Sequence, residues 1–131
     1  MSSIFTKIIN REIPAHIVAE NETALAFLDI RPLTKGHTLI IPKTEVDYLF
    51  DLDDTTYTEL NLFAKKVALG LQQAVPCVRI ATAVIGLEVP HAHIHLIPIS
   101  KMSDANFSNP KLEIPEEEMK LIAEAIRQEV S

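Results

Sequence analysis

The chain has 131 residues, with 12 basic and 18 acidic side chains and a formal charge of −6; this argues against a nucleic-acid coat, which needs a basic face. No stretch approaches the roughly 18 consecutive apolar residues of a membrane span, and the lone Cys77 can form neither an internal disulfide nor a CxxC metal knot. One domain over residues 1–131, held by its own apolar core and residing in the cytoplasm, is the expectation.

The N-terminal stretch MSSIFTKIINREIPAH is charged and interrupted by Pro14, unlike a secretory signal. Within it, Ser3 to Asn10 predicts a short amphipathic helix with Ile4, Phe5, Ile8 and Ile9 on its apolar side. Glu12-Ile13-Pro14 is expected to end it, because a residue before proline is pushed away from helix. His16 to Glu20 and Thr23 to Asp29 read as short strands joined by a turn at Asn21-Glu22, Pro32 to Gly36 as a loop, and His37 to Pro42 as a third strand. Asp53 or Asp54 caps a long helix reaching about Val75, whose buried face is marked by Leu60, Phe63, Ala64, Val67, Leu71 and Ala74. Leu62 and Leu69 fall off that face: they either widen the core stripe or form a second apolar surface for a dimer partner. After Pro76, strands are predicted over Val78 to Ile85 and Val89 to Ile99, with Gly86 at the bend, then a polar loop from Ser103 to Pro110. Pro115 opens a last helix with glutamates in its first turn, which suits the helix dipole. The order α-β-β-β-α-β-β-α, dominated by hairpins, predicts an α+β fold with a mainly antiparallel sheet of about five strands.

Three of the five histidines, His91, His93 and His95, fall in the string PHAHIHLIP. On a strand, alternate side chains share a face, so the three imidazoles point one way while Ala92, Ile94 and Leu96 point into an apolar layer. A solvated sheet face would not need histidine at strict period two. A metal site is a competing reading, since histidine is the commonest metal ligand. Three in a row grip one ion poorly, however, because the first and last Cα atoms of a flat strand segment lie roughly 13 Å apart. Metal-free histidine chemistry is the reading carried forward, with no metal and no cofactor. Neutral imidazole is a nucleophile near pH 7 and departs readily from phosphorus.

PHAHIHLIP resembles the histidine-triad (HIT) motif, in which histidines alternate with hydrophobic residues and two further hydrophobic residues follow. The stretch from Ile4 to Lys43, with its IF..II...IPA start and GH..IIPK strand, is similar to the N-terminal half of that family, in particular to its nucleoside phosphoramidases and related nucleotide hydrolases. The resemblance implies a HIT-like fold, a homodimer and a purine nucleotide as small-molecule substrate. His93 would be the nucleophile that forms a nucleotidyl-histidine intermediate, and His95 would contact phosphate or the leaving group. His91 would support the nucleophile, with His37 behind it. Asp29 would bind ribose hydroxyls; the lesser alternative for it is a strand-end cap. Ile4, Phe5, Ile8, Ile13 and Ile30 would form an apolar slot for the base, although periodicity alone makes each a core residue. His16 has no family role and is expected to face solvent.

The segment RIATAVIGLEVPH departs from the family. It is short and lacks the usual Asn-Gly elements, and Leu87 stands where glutamine is common. Gly86 and the amides up to Val89 are left as backbone donors to phosphate. Glu88 would either protonate a leaving group or, as an exposed carboxylate, repel the phosphate. The expected activity is cleavage of a nucleoside phosphoramidate or nucleotide polyphosphate at the α-phosphorus. The alternatives are a nucleotide-binding module with lost catalysis and a histidine metal protein.

Overall fold

The computed structural model describes residues 2–130. Ser3 is the cap of the first helix rather than its first residue. Its Oγ accepts the Thr6 amide at 3.0 Å, and α1 runs Ile4–Ile9. The helix stops at Asn10, with Arg11 in the left-handed region (φ 62°), so it ends before Pro14 is reached. Strands β1 (Ile17–Glu20) and β2 (Ala24–Leu28) form the expected hairpin, and Asn21 Oδ1 closes the turn by accepting the Thr23 and Ala24 amides. Strand β3 (Thr38–Pro42) follows a turn at Gly36 (φ 91°), where a Cβ would also press on Val75 at 2.9 Å.

Asp53 caps the long helix α2 (Asp54–Ala74) by accepting the Thr56 amide. Strand β4 is Arg79–Ala83 and β5 is Ile94–Ile99, both shorter than the sequence implies, and α3 spans Glu116–Glu129. Two 3-10 turns, Leu49–Asp51 and Met102–Ala105, lie where no regular structure was expected. The five strands form one antiparallel sheet in the order β1-β2-β3-β5-β4.

Side-chain alternation divides the sheet into two layers. Ala24, Ala26, Leu28, Ile40, Ile94 and Leu96 face α2 and α3, packing on Leu60, Phe63, Val67, Leu71, Met119, Ala123 and Ile126. Leu25, Phe27, Leu39 and Ile41 face the other way, onto Phe5 and Ile8 of α1. Because both faces are covered, β2 and β3 are buried at every position. Gly70 lets α2 pass the end of α3, since a Cβ there would lie 2.7 Å from Val130. Leu62 and Leu69 are 62% and 59% exposed, so the wide-core alternative for them is wrong: both point outward from α2. Among the described residues no helix is long and apolar enough to cross a membrane.

Candidate active site

The histidine string lies only partly on a strand. Pro90 offers no amide hydrogen. The His91 amide turns back to the Val89 carbonyl (2.8 Å), and the Ala92 amide goes to Val46 (2.7 Å), so ladder pairing begins at Ile94. The alternation expected of a strand nevertheless persists. Ala92, Ile94 and Leu96 enter the α2/α3 core. His95 pairs across the sheet with Leu39, a residue of the α1 layer. His91 and His93 stack edge-on against Phe5 of α1, at 5.8 and 5.0 Å between ring centres. All three rings are buried, as is that of His37 at the entrance to β3.

His37 does not stand behind His91, as the resemblance implied. Its Nε2 lies 3.0 Å from His95 Nδ1, because the β3–β5 register sets His95 opposite Leu39, two residues from His37 and diagonal to it. His91 is held instead by the Pro42 carbonyl and the Ser3 hydroxyl, each at 2.8 Å.

The hydrogen-bond partners assign a tautomer to each ring. His37 Nδ1 accepts the Leu33 amide hydrogen (3.0 Å). A neutral His37 therefore carries its proton on Nε2 and donates it to His95 Nδ1, and a neutral His95 must carry its own proton on Nε2. Burial, reinforced by the neighbouring His95, pulls His37 down to about 3. Burial, then the nearby His93, pulls His95 down to about 4. Both rings are thus neutral at pH 7. Burial also lowers His91, against the raising influence of the Pro42 carbonyl and Glu45. Its Nε2–H donates to Pro42, and its Nδ1 accepts from Ser3. His93 Nδ1–H donates to the His91 carbonyl at 2.8 Å, which leaves the Nε2 lone pair uncommitted.

Asp29 Oδ1 accepts the Arg31 amide at 2.9 Å, which is the strand-end cap read from sequence. Its Oδ2, 3.8 Å from His37 Nε2, is too distant to bond it and remains available to a ligand. Burial pushes this carboxyl upward, partly offset by the Arg31 amide. Of the five apolar residues named for a slot, Phe5 and Ile8 are core and Ile13 packs at their edge. Ile4 and Ile30 are 50% and 73% exposed and stand open at the surface. Glu88 is exposed, Val89 packs against the α1 layer, and Gly86 (φ 74°) has nothing within 4 Å of where a Cβ would stand. His16 is not simply solvated, for its Nε2 lies 3.2 Å from Glu116.

Asp29, His37 and His95 each offer one ligand atom, and these atoms lie within 4.8 Å of one another, which is compatible with a metal ion. The tautomers oppose it. His37 Nε2 carries the proton because Leu33 occupies Nδ1, so a metal would have to expel that proton and leave a buried amide facing an N–H. This trio is also different from the three sequential histidines that suggested a metal in the first place.

Sequence reasoning missed several parts of the site. Phe107, in the polar loop, lays its ring edge-on to His95 at 4.9 Å and to His37 at 6.3 Å, and a lone aromatic among polar residues carries no periodicity to reveal it. The Leu33 amide and Pro42 carbonyl are backbone groups, invisible to side-chain patterns. Ser3 had a readable signal, since a serine before an apolar helix is a standard cap.

An antiparallel sheet carrying neutral imidazoles of fixed tautomer on one face defines an α+β protein organised for histidine chemistry. Residues 10–102 match the HIT domain family model. The chain is 39% identical over 111 residues to a protein of Borreliella burgdorferi named only as HIT-like, covering 79% of this chain and 80% of the relative. It is 33% identical over 132 residues to an adenosine 5'-monophosphoramidase of Schizosaccharomyces pombe, covering 99% of each. A crystal structure described as a hypothetical histidine triad nucleotide-binding protein of Sulfolobus tokodaii superposes with a TM-score of 0.86 at 32% identity, over 96% of this chain and 90% of the other. This chain belongs to the HIT family.

Proposed function

We propose that the chain, as one HIT domain across residues 1–131, hydrolyses a purine nucleoside phosphoramidate or nucleotide polyphosphate at its α-phosphorus through a nucleotidyl-histidine intermediate, in the cytoplasm. The observation that carries the reading is the bond from His93 Nδ1–H to the His91 carbonyl, which directs a lone pair to Nε2 beside a donor on His95. His93 Nε2 attacks phosphorus, and the bond to the leaving nitrogen or oxygen breaks. His95 Nε2–H hydrogen-bonds the departing atom. It is not a stored acid, because burial keeps it and His37 neutral, so the leaving group draws its proton from water. Water then adds to phosphorus, the phosphorus–nitrogen pair returns to Nε2, and the nucleoside monophosphate leaves. Asp29 Oδ2 takes the ribose hydroxyls, Phe5, Ile4, Ile8, Ile13 and Ile30 hold the base, and the amides from Gly86 through Glu88 to Val89 face phosphate. The phosphoramidase named among the relatives supports this substrate class.

The test is single-turnover hydrolysis of an adenosine phosphoramidate and a diadenosine polyphosphate by wild type and His93→Ala. Release of adenosine monophosphate by wild type alone is expected; release by the alanine variant would overturn the mechanism.

A second reading, a nucleotide-binding module without catalysis, is favoured by the loop before His91. There Leu87 is 88% exposed, and in the run Val84 to Pro90 only Glu88 has a side chain able to hydrogen-bond. Adenosine monophosphate binding without turnover of either substrate would select it.

The proposal includes a homodimer. Strand β4 is a sheet edge, and a groove of about 1010 Å³ between α2 and β4 is flanked by the exposed Tyr48, Phe50, Val84, Ile85 and Leu87. That groove is lined by Ala92, Ile94 and Leu96 of the helix-facing layer, and it reaches His93 beside Gly86 and Leu87. Sedimentation of a monomer at micromolar concentration would contradict the dimer.

A further inference from the structure

His91 has both ring nitrogens committed and is 0% exposed, so no ligand reaches its ring. What holds it is a network that the reaction proposed above does not use. Ser3 Oγ accepts the Thr6 amide at 3.0 Å, and its own hydrogen is directed to His91 Nδ1 at 2.8 Å. Thr6 Oγ1 lies 3.4 Å from the same nitrogen and 3.3 Å from Ser3 Oγ. It gives its hydrogen elsewhere, to Glu45 Oε1 at 2.5 Å. The same carboxylate oxygen accepts the Ser3 amide at 2.7 Å. Glu45 thus anchors the start of α1 to the segment after β3 and occupies the Thr6 hydroxyl, leaving Ser3 as the donor to His91. Both amide and hydroxyl donors of Glu45 hold its carboxyl below the usual range, so it remains a charged acceptor at neutral pH.

We infer that Ser3 is a positioning residue for the nucleophile: its hydroxyl fixes His91 as the Nε2–H tautomer, and His91 so fixed presents its main-chain carbonyl to His93 Nδ1–H. The inference rests on His93 being the nucleophile. The physical chain has two links. If His91 carried its proton on Nδ1, its Nε2 lone pair would face the Pro42 carbonyl, two acceptors in a buried space, and the ring would have to leave its place. A displaced His91 carries its own carbonyl with it, and His93 Nδ1–H loses its partner. The proton on His93 is then free to sit on Nε2, where it removes the lone pair that attacks phosphorus. The sequence marks this role only as a helix cap, yet the same hydroxyl serves the cap through its lone pair and the histidine through its hydrogen.

Three substitutions separate these uses. Ser3→Asp keeps an acceptor for the Thr6 amide, as good a cap as serine, but presents an acceptor to His91 Nδ1. Ser3→Ala removes both uses. Ser3→Thr keeps both. The readouts are the nitrogen-15 shifts of the His91 and His93 imidazoles, which report which nitrogen is protonated, and kcat and KM for adenosine phosphoramidate, with melting temperature measured alongside. Ser3→Asp is expected to protonate His91 Nδ1 and lower kcat about tenfold or more, further than Ser3→Ala does, with KM within about threefold and a melting temperature no lower than that of Ser3→Ala. Ser3→Ala should lower both kcat and melting temperature, and Ser3→Thr should recover both. Wild-type kcat in Ser3→Asp, or an unprotonated His91 Nδ1 there, would overturn the inference. A kcat loss that merely tracks melting across the three variants would reduce Ser3 to a cap and overturn it equally. If wild type turns over no nucleotide, the proposed function fails on that ground alone. The His93 nitrogen shifts in Ser3→Asp then decide the positioning by themselves: a redistributed His93 proton sustains it and an unchanged one overturns it.

Discussion

The two faces of the sheet are buried by different physics. On the α2/α3 face the partners are aliphatic and interchangeable in kind: Leu28, Ile40, Ile94 and Leu96 pack on Leu60, Val67, Leu71 and Ile126, and each gains by leaving water. The α1 face buries aliphatic residues too, but also four imidazoles and the Ser3 hydroxyl. Those polar groups are kept in place by partners, and among the described residues no buried side-chain nitrogen or oxygen lacks one. One face therefore tolerates changes of shape at a cost in stability. The other stores information, namely which nitrogen carries the proton.

If that division is right, the largest effect should come from the smallest polar change. His93→Ala is expected to reduce single-turnover release of adenosine monophosphate by about a thousandfold or more, with a smaller effect on thermal stability that comes from losing the ring's packing on Phe5 and His95. Chemical denaturation and a kinetic assay on the same preparation check both halves. On the opposite face, Leu71→Ala should cost about 3 kcal/mol by cavity formation, read from urea unfolding, with kcat unchanged in the fraction that remains folded.

Acid should act on the histidine face first. His37 and His95 bind protons in the folded state only near pH 3 and pH 4, whereas unfolded histidine does so near 6.5. Between those values the unfolded chain holds more protons, so stability falls as pH drops below about 6.5 and keeps falling towards 4, by roughly 3 kcal/mol for each of the two rings. Urea unfolding as a function of pH should show this slope, and His37→Gln should flatten it. A flat wild-type profile from pH 7 to 4 would mean the pair is not buried neutral.

Smaller effects test the frame of α2. Asp53→Ala removes the side chain that accepts the Thr56 amide and should cost about 1 kcal/mol. Leu62→Ser, on the outward side of α2, should change the stability of the monomer by less than about 0.5 kcal/mol.

The unequal legibility of the sequence follows from the same division. Leu60, Phe63, Val67 and Leu71 announce the buried side of α2 because aliphatic packing needs a helical period, and the α+β antiparallel fold follows from hairpins and helix breaks. The alternation of His91, His93 and His95 with Ala92, Ile94 and Leu96 was equally legible, although the regular strand begins only at Ile94. What could not be read was pairing across the chain. His37 meets His95 rather than His91 because of the β3–β5 register, which no local pattern encodes. The tautomers depend on the Leu33 amide and the Pro42 and His91 carbonyls, and backbone groups leave no mark on composition. Phe107 reaches the site from an irregular loop, where neither period nor propensity speaks for it.

On the mechanism proposed here, the histidine face presents one nucleophile, His93 Nε2. The direct measurement is to mix wild-type protein in excess with adenosine phosphoramidate, quench in base within a single turnover, and map the adenylylated peptide by mass spectrometry. Adenosine monophosphate linked to His93 is expected while product is forming. Adenylylation of His91, His95 or His37 instead, or full turnover with no histidine adduct at any time, would contradict it.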